Sequence, residues 1–431
     1  MGRTCCVSAT RNDLQDVTSF FPQLNGSGYK VDVMSDVEIP TTVPEPASLM
    51  LLGGGLVAAA WIRRRARSLC LPSCGTIALS MRTHVLVALA FAALTAAATS
   101  ARAQACVQAS SACTEWVPLG GGPSRSLIYR TYPLGTNNDK ITRALLMVHG
   151  AGRDADHYFS TALAAAFLAG ALDDTVVIAP RFASNDGGGC KDTLADNEIN
   201  WPCNGDSWRS GGTATNNPRE TSFDFADEIL RKLARKEAFP NLKAVVVAGH
   251  SAGGQFVNRY EMSNQVHDKL DLHITYVVAN PSSYAYPDGN RPAVVTGDVC
   301  VSCPSAKAGE IRPFSDARNC TTYDDWPYGL QKRTGKYEVS LSGDILRKQL
   351  VARPTTYLLG EIDILPLGGF DSSCPAMAQG PTRRARGEAF SKYVNDNYGA
   401  HHNVAIVSLC GHNARCMFTA DPSLPVLFPK N

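Results

Sequence analysis

Ser251 stands in Gly249-His250-Ser251-Ala252-Gly253, directly after the apolar run Leu242 to Ala248. A serine hydroxyl becomes a useful nucleophile when a base takes its proton and a third group orients that base. The chain offers candidates for both. Of the eight histidines beyond His84, His412 is the best placed, in Leu409-Cys-Gly-His-Asn413 just past the run Val404 to Leu409. His401 and His402 precede that run and are expected at its opposite end, and the turn is expected to direct the His250 side chain away. For the acid, Asp363 and its rival Glu361 lie three and one residues past Gly360, at the end of the run Thr355 to Leu359. The shorter carboxylate is the commoner histidine partner. A fourth element, His149-Gly150-Ala151-Gly152-Arg153, follows Leu145 to Val148. Its glycines let backbone N–H groups turn inward, so the amide of Ala252 and one from Ala151 or Gly152 could receive an oxyanion. The chemistry these residue types allow is acyl transfer to water through a covalent acyl-serine, with no metal or organic cofactor required.

Each of these elements ends an apolar run, and the runs must be strands for the geometry to work. Leu145–Val148, Thr175–Ala179, Leu242–Ala248, Ile274–Ala279, Thr355–Leu359 and Val404–Leu409 are mostly apolar rather than alternating, as central parallel strands covered on both faces should be. Amphipathic segments separate them: His157–Ala169, Ser222–Lys236, Gln255–Asn264 and Arg384–Asn397. This alternation predicts an α/β fold, a mostly parallel doubly wound sheet with helices on both faces and functional loops at the carboxyl ends of the strands. The glycines two before and two after Ser251 let the chain reverse there without a Cβ clash. The basic cluster Arg383-Arg-Ala-Arg386 is expected on a solvated face.

The first 105 residues read as targeting sequence. Met81-Arg-Thr-His84, an apolar run from Val85 to Ala98 and Ala101-Arg-Ala103-Gln-Ala105 describe a secretory leader, cleaved after Ala103 or Ala105. Upstream, Val43-Pro-Glu-Pro46, the apolar stretch Ala47–Ile62 and Arg63–Arg67 resemble a C-terminal sorting tail of exported bacterial proteins, here placed before the leader. Residues 1–80 are therefore expected to be an upstream extension, with Met81 as the start. The alternative, a two-pass membrane hairpin, has a first stretch of 16 residues, short of the roughly 20 a spanning helix needs. Ten cysteines fall in 106–431: Cys106, Cys113, Cys190, Cys203, Cys300, Cys303, Cys320, Cys374, Cys410 and Cys416. After a leader, that even count reads as disulfides, with 106–113, 190–203 and 410–416 as plausible local pairs. A zinc site from Cys300, Cys303, Cys320 and Cys374 is the weaker alternative. With 32 basic against 33 acidic residues from 106 onward, nothing recruits nucleic acid or an anionic membrane, and no stable membrane association is expected after leader cleavage.

The order Ser251, Asp363, His412, with a glycine-rich turn upstream, resembles the α/β-hydrolase family over roughly 126–429, and within it secreted esterases and polyhydroxyalkanoate depolymerase-like enzymes. The resemblance implies an α/β-hydrolase domain at 106–431 with disulfide-linked insertions at 182–221 and 282–341. It also implies the nucleophile, acid and base roles of the three residues and a small or oligomeric ester as substrate. No separate polymer-binding domain is visible. A peptidase or amidase with the same machinery, and a binding protein that keeps the fold without the chemistry, are the alternatives. Trp201 and Trp208 in the first insertion, and Tyr284 and Tyr286 in the second, are expected to line the mouth above Ser251, unless they pack the insertions against the sheet.

Overall fold

The computed structural model describes residues 104–203, 207–292 and 310–430. The leader, the sorting-tail-like segment and the pair Cys300 and Cys303 lie outside the described residues, apart from the two residues before Cys106. Strands β1 (Thr114–Pro118), β2 (Arg125–Arg130), β3 (Arg143–Val148), β4 (Thr175–Pro180), β5 (Ala244–His250) and β6 (His273–Ala279) are followed by a short pair, β7 (Asn290–Pro292) and β8 (Ile311–Pro313), then β9 (Thr355–Gly360) and β10 (Asn403–Val407). Eight of them form one sheet in the order β1-β2-β4-β3-β5-β6-β9-β10. From β4 to β10 every pairing is parallel, while β1 and β2 add an antiparallel edge. The six apolar runs are all strands of this sheet. The antiparallel edge was not visible in sequence, because β1 and β2 are half-buried and carry Glu115, Arg125 and Arg130 among their apolar residues.

The central strands bury both faces, and side chains alternate between two cores. Val245 and Val247 face one layer; Val246 and Ala248 face the other. The first layer is covered by α2 (Ser222–Leu233), α3 (Ala252–Ser263) and α7 (Arg383–Tyr398), through Phe223, Phe256 and Phe390. The second is covered by α1 (Ala155–Leu168), α8 (Ala414–Thr419) and α9 (Leu424–Leu427), through Phe159, Phe418 and Leu427. Each fully buried Val, Leu or Phe contributes roughly 1.5–3 kcal/mol, so this double burial holds the strand ends in register. Local signals set the helix ends. Thr221 and Asp224 form a reciprocal capping box on α2, and Gly170 at φ +62° follows α1. Helices α4 (Lys336–Val339), α5 (Gly343–Ala352) and α6 (Cys374–Met377) fill the stretch between the second insertion and α7.

Among the described residues, four disulfides join Cys106–Cys113, Cys190–Cys203, Cys320–Cys374 and Cys410–Cys416. The bond between Cys320 and Cys374 ties the second insertion to α6, which disposes of a zinc site at those two residues. The basic cluster is not a solvated face. Arg383 and Arg386 are fully buried, because α7 drives its N-terminus under the loop that follows β9.

Candidate active site

The loops after β3, β5, β9 and β10 meet at one end of the sheet. Ser251 leaves β5 with φ +58° and ψ −118°, a conformation that costs a non-glycine residue on the order of 1–3 kcal/mol. Its N–H donates to the Ala279 carbonyl at 3.0 Å and its carbonyl accepts from Gln255 at 3.0 Å. The flanking glycines provide room. A Cβ on Gly249 would stand 2.3 Å from the Gly253 carbonyl oxygen, and one on Gly253 would stand 2.3 Å from that of Val148. Strain therefore sits on the serine itself, and close packing on its neighbours.

His412 occupies the loop after β10, between Cys410 and the cap residue Asn413, which accepts from Cys416 N–H. Its Nε2 lies 2.9 Å from Ser251 Oγ and its Nδ1 lies 2.8 Å from Asp363 Oδ2. The hydroxyl donates to Nε2, and Nδ1–H donates to the carboxylate. Asp363 is 2% exposed and His412 14%, so one end of the relay is dry and the other opens outward. Glu361 is elsewhere occupied: its Oε2 accepts from the Leu409 N–H at 2.9 Å and so holds the histidine loop. His402 is buried at the start of β10, between Tyr357 Oη and the Leu350 carbonyl, at the far end of the strand from His412.

On the other side of Ser251 lies the loop after β3. A Cβ on Gly150 would be 3.8 Å from Ser251 Cβ and 2.8 Å from Tyr158 Oη. Burial pushes the His149 imidazole down to about 3, so the ring is neutral. The Phe182 N–H donates to its Nε2 at 3.1 Å, which leaves the proton on Nδ1, donated to the Gly150 carbonyl at 2.8 Å. In a planar trans peptide the C=O and the next N–H point opposite ways. By holding the Gly150 carbonyl, His149 therefore sets the direction of the Ala151 N–H. Ala252 opens α3, where the first N–H groups have no partner within the helix. Ala151 and Gly152 are exposed, and Ala252 is buried.

Two expectations are corrected here. Trp201, Trp208, Tyr284 and Tyr286 are exposed by 2% or less and line no mouth. The insertions fold back onto α3 and α7 instead. Trp208 stacks on Phe182 at 4.8 Å and meets the His149 ring edge-on at 4.7 Å, while Trp201 stacks with Phe225 and donates to Ser126 Oγ at 3.3 Å. Tyr284 stacks on Phe390 at 4.6 Å, and Tyr286 packs against Phe390 and Tyr393. Nor does His250 turn away: its ring centroid lies 4.6 Å from that of His412, and its Nδ1 is 3.1 Å from Tyr158 Oη. Burial first, then the neighbouring His412 and Arg383, hold its imidazole well below the usual range.

Sequence reasoning missed three residues that touch this network. Tyr158 hydrogen-bonds the His250 that packs on the base. Asn280, at φ +43°, donates to the Gly411 carbonyl at 3.2 Å and accepts from Gly360 N–H at 2.8 Å, tying the end of β9 to the histidine loop. Arg383 ion-pairs with the second Asp363 oxygen at 3.5 Å. The one available signal was Asn280-Pro281 at a strand end, a turn-prone pair in the position where site loops begin.

Residues 145–390, more than half of the chain, match the profile of the Alpha/beta hydrolase family, and residues 42–65 match a PEP-CTERM protein-sorting motif. That motif and the disulfides are consistent with an exported protein. No curated protein matches the chain. Among solved structures it is similar to LpqC, a poly(3-hydroxybutyrate) depolymerase from Bordetella parapertussis, at 23% identity over 73% of this chain and 87% of that one, TM-score 0.47. It is also similar to poly(aspartic acid) hydrolase-1 from Sphingomonas sp. KT-1, at 21% identity over 70% and 94%, TM-score 0.49. An esterase from Pyrobaculum calidifontis shares 16% identity over 73% and 81%, TM-score 0.37. Among the described residues, no helix is long and apolar enough to cross a membrane.

Proposed function

The chain belongs to the Alpha/beta hydrolase family, and on that premise we propose that it is an exported serine hydrolase that cleaves carboxylic esters through an acyl-enzyme. The observation that carries the reading is the continuous relay from Ser251 Oγ through His412 to Asp363, at 2.9 and 2.8 Å. Ser251 attacks the ester carbonyl as His412 Nε2 takes its proton. Asp363 fixes the imidazole with its proton on Nδ1 and stabilises the imidazolium. The oxygen that gains charge is received by the Ala252 N–H and by the Ala151 or Gly152 N–H, the first of which His149 aims. Each such donor is worth roughly 3 kcal/mol in the barrier. His412 then returns its proton to the leaving alcohol and activates the water that hydrolyses the acyl-serine. The catalytic domain is 106–431, released after Ala103 or Ala105.

The test is Ser251→Ala in the full secreted form. Turnover of a short p-nitrophenyl ester and labelling by a fluorophosphonate probe should both disappear, with the unfolding midpoint within a few degrees of wild type. Labelling that persists in the variant would falsify the reading. A panel of esters and peptides run on the wild type separates ester from amide preference.

A further inference from the structure

Building on the reading of Ser251, His412 and Asp363 as a triad, we propose that Arg383 is a positioning residue that holds the catalytic acid in line with the base. His412 uses Oδ2 of Asp363; Arg383 Nη1 stands 3.5 Å from the other oxygen, Oδ1. The rest of the guanidinium is spoken for. Its Nε donates to Ser282 Oγ at 2.8 Å and its Nη2 to the Gly368 carbonyl at 2.8 Å, and the ring of Phe370 lies 5.3 Å beneath it. One planar fork thereby joins three segments: the residues after β6, the loop after β9 and the first turn of α7. Gly368 matters because a Cβ there would be 3.4 Å from His412 Cδ2, so the loop that Arg383 grips is also the one beside the base. The backbone adds a second tie, from Arg384 N–H to the Asp363 carbonyl at 3.3 Å.

The location argues against a merely structural role. Arg383 is the first residue of α7, where the helix dipole favours an anion and disfavours a cation. It is also fully buried, which is costly for a charge. Stability alone would select a capping acid or a small apolar residue at this place. What a cation achieves here is to hold a dry carboxylate fixed, with one oxygen free for the histidine.

A guanidinium on Oδ1 fixes the carboxylate and leaves Oδ2 to the imidazole. The charged side chains on the neighbouring segments have other partners. Glu361 is bound to Leu409 N–H, Arg384 to the Glu361 carbonyl and to Glu388, and Arg386 to the carbonyls of Ser282 and Asp371. Among the described residues, Arg383 is the arginine or lysine within 4.0 Å of the Asp363 carboxylate, whose other partner is the His412 imidazole.

The experiment measures kcat and KM for a short p-nitrophenyl ester from pH 5 to 9 in the wild type, Arg383→Met, Arg383→Lys and Ser282→Ala. Arg383→Met should lower kcat about tenfold to a hundredfold with KM changed less than about threefold. Arg383→Lys keeps a cation at the site and should recover part of kcat. Ser282→Ala loosens one anchor of the guanidinium, so it should lower kcat by a smaller factor, again with KM little changed, and it decides the matter if Arg383→Met does not fold. A lowered melting temperature with unchanged kcat in Ser282→Ala and in whichever Arg383 variants fold overturns the proposal. A wild type without ester turnover or fluorophosphonate labelling overturns the underlying triad reading instead.

Discussion

At the N-terminal end of α3, Ser251 reaches His412 and, through it, the buried carboxylate of Asp363. At the C-terminal end of the same helix Glu261 is equally dry, yet it accepts from Thr355 Oγ1 at 2.8 Å and Asn258 Nδ2 at 3.0 Å, and touches no nucleophile. A third buried acid, Asp227 on α2, accepts from the hydroxyls of Tyr260 and Tyr337 at 2.7 and 2.9 Å and pairs with Arg231 one turn on at 3.5 Å. Burial pushes Glu261 up to about 8 and Asp227 up to about 6. Displaced titration often marks functional sites, and here it would point to the wrong end of the helix. The difference lies in the partners. Hydroxyls, an amide or an arginine satisfy a carboxylate and leave it inert, whereas a histidine that also faces an outward-opening serine turns the same group into part of a reaction path.

The sharpest way to break this comparison is to neutralise both acids. Asp363→Asn should cost about 10⁴ in kcat, since an amide favours the wrong imidazole tautomer, and should lower the unfolding midpoint as well, because it leaves the buried Arg383 without its counter-charge. Glu261→Gln should leave kcat within about twofold of wild type. Glu361→Gln should also leave chemistry nearly intact and weaken the histidine loop, because its carboxylate serves Leu409 N–H. Stopped-flow or steady-state turnover of one ester across the three variants decides it. A Glu261→Gln loss on the scale of Asp363→Asn would erase the distinction between the two ends.

Between those ends α3 is paved with aromatic rings, and here the prediction concerns stability. Phe256 packs among Phe182, Phe223 and Trp208, and Trp208 also braces His149. Trp208→Ala should destabilise folding by roughly 3–5 kcal/mol, seen in urea unfolding. The loss of the ring beside His149 should lower kcat for acetate and for aromatic esters alike. A selective rise in KM for aromatic esters would return Trp208 to the substrate pocket and make the middle of α3 part of the site.

How far the sequence disclosed this arrangement depended on whether a feature was local. The six sheet strands, their order of chemistry-bearing turns and the serine, acid and base candidates were legible because each sits beside its own apolar run. The sheet edge at β1 and β2 was not, since its strands are short and half polar. Side-chain direction across long loops was not legible either. Trp201, Trp208, Tyr284 and Tyr286 were placed by the strands they follow, but their contacts lie on Phe225, Phe182 and Phe390, far along the chain. Arg383 and Arg386 read as a surface run because charge is usually solvated; only the fold brings Asp363, Ser282 and Gly368 around them.

The smallest expected effect is also the cleanest test of what the C-terminal end of α3 does. In the folded protein Glu261 holds its proton up to about 8, against 4.5 for an unperturbed glutamic acid. Between those values the native state binds a proton that the unfolded chain has released, so the stability slope with pH is negative. The contribution is whole below about 4.5 and is lost as pH rises through 8. Glu261→Gln cannot titrate, and its amide can donate to Thr355 Oγ1 while that hydroxyl turns to the Arg353 carbonyl, already 3.2 Å away. The variant's stability relative to wild type should therefore climb from pH 5 to pH 8 in urea unfolding. The buried imidazoles of His149, His250 and His402 and the half-buried one of His267, all held below their usual range by desolvation, pull the other way, losing stability on acidification below about 6.5. They are common to both proteins and cancel in the difference. A flat difference would mean that Glu261 is ionised in the native state. It would then be a second charged buried carboxylate on the Asp363 pattern, and burial with neutral donors would no longer separate the inert end of α3 from the reactive one.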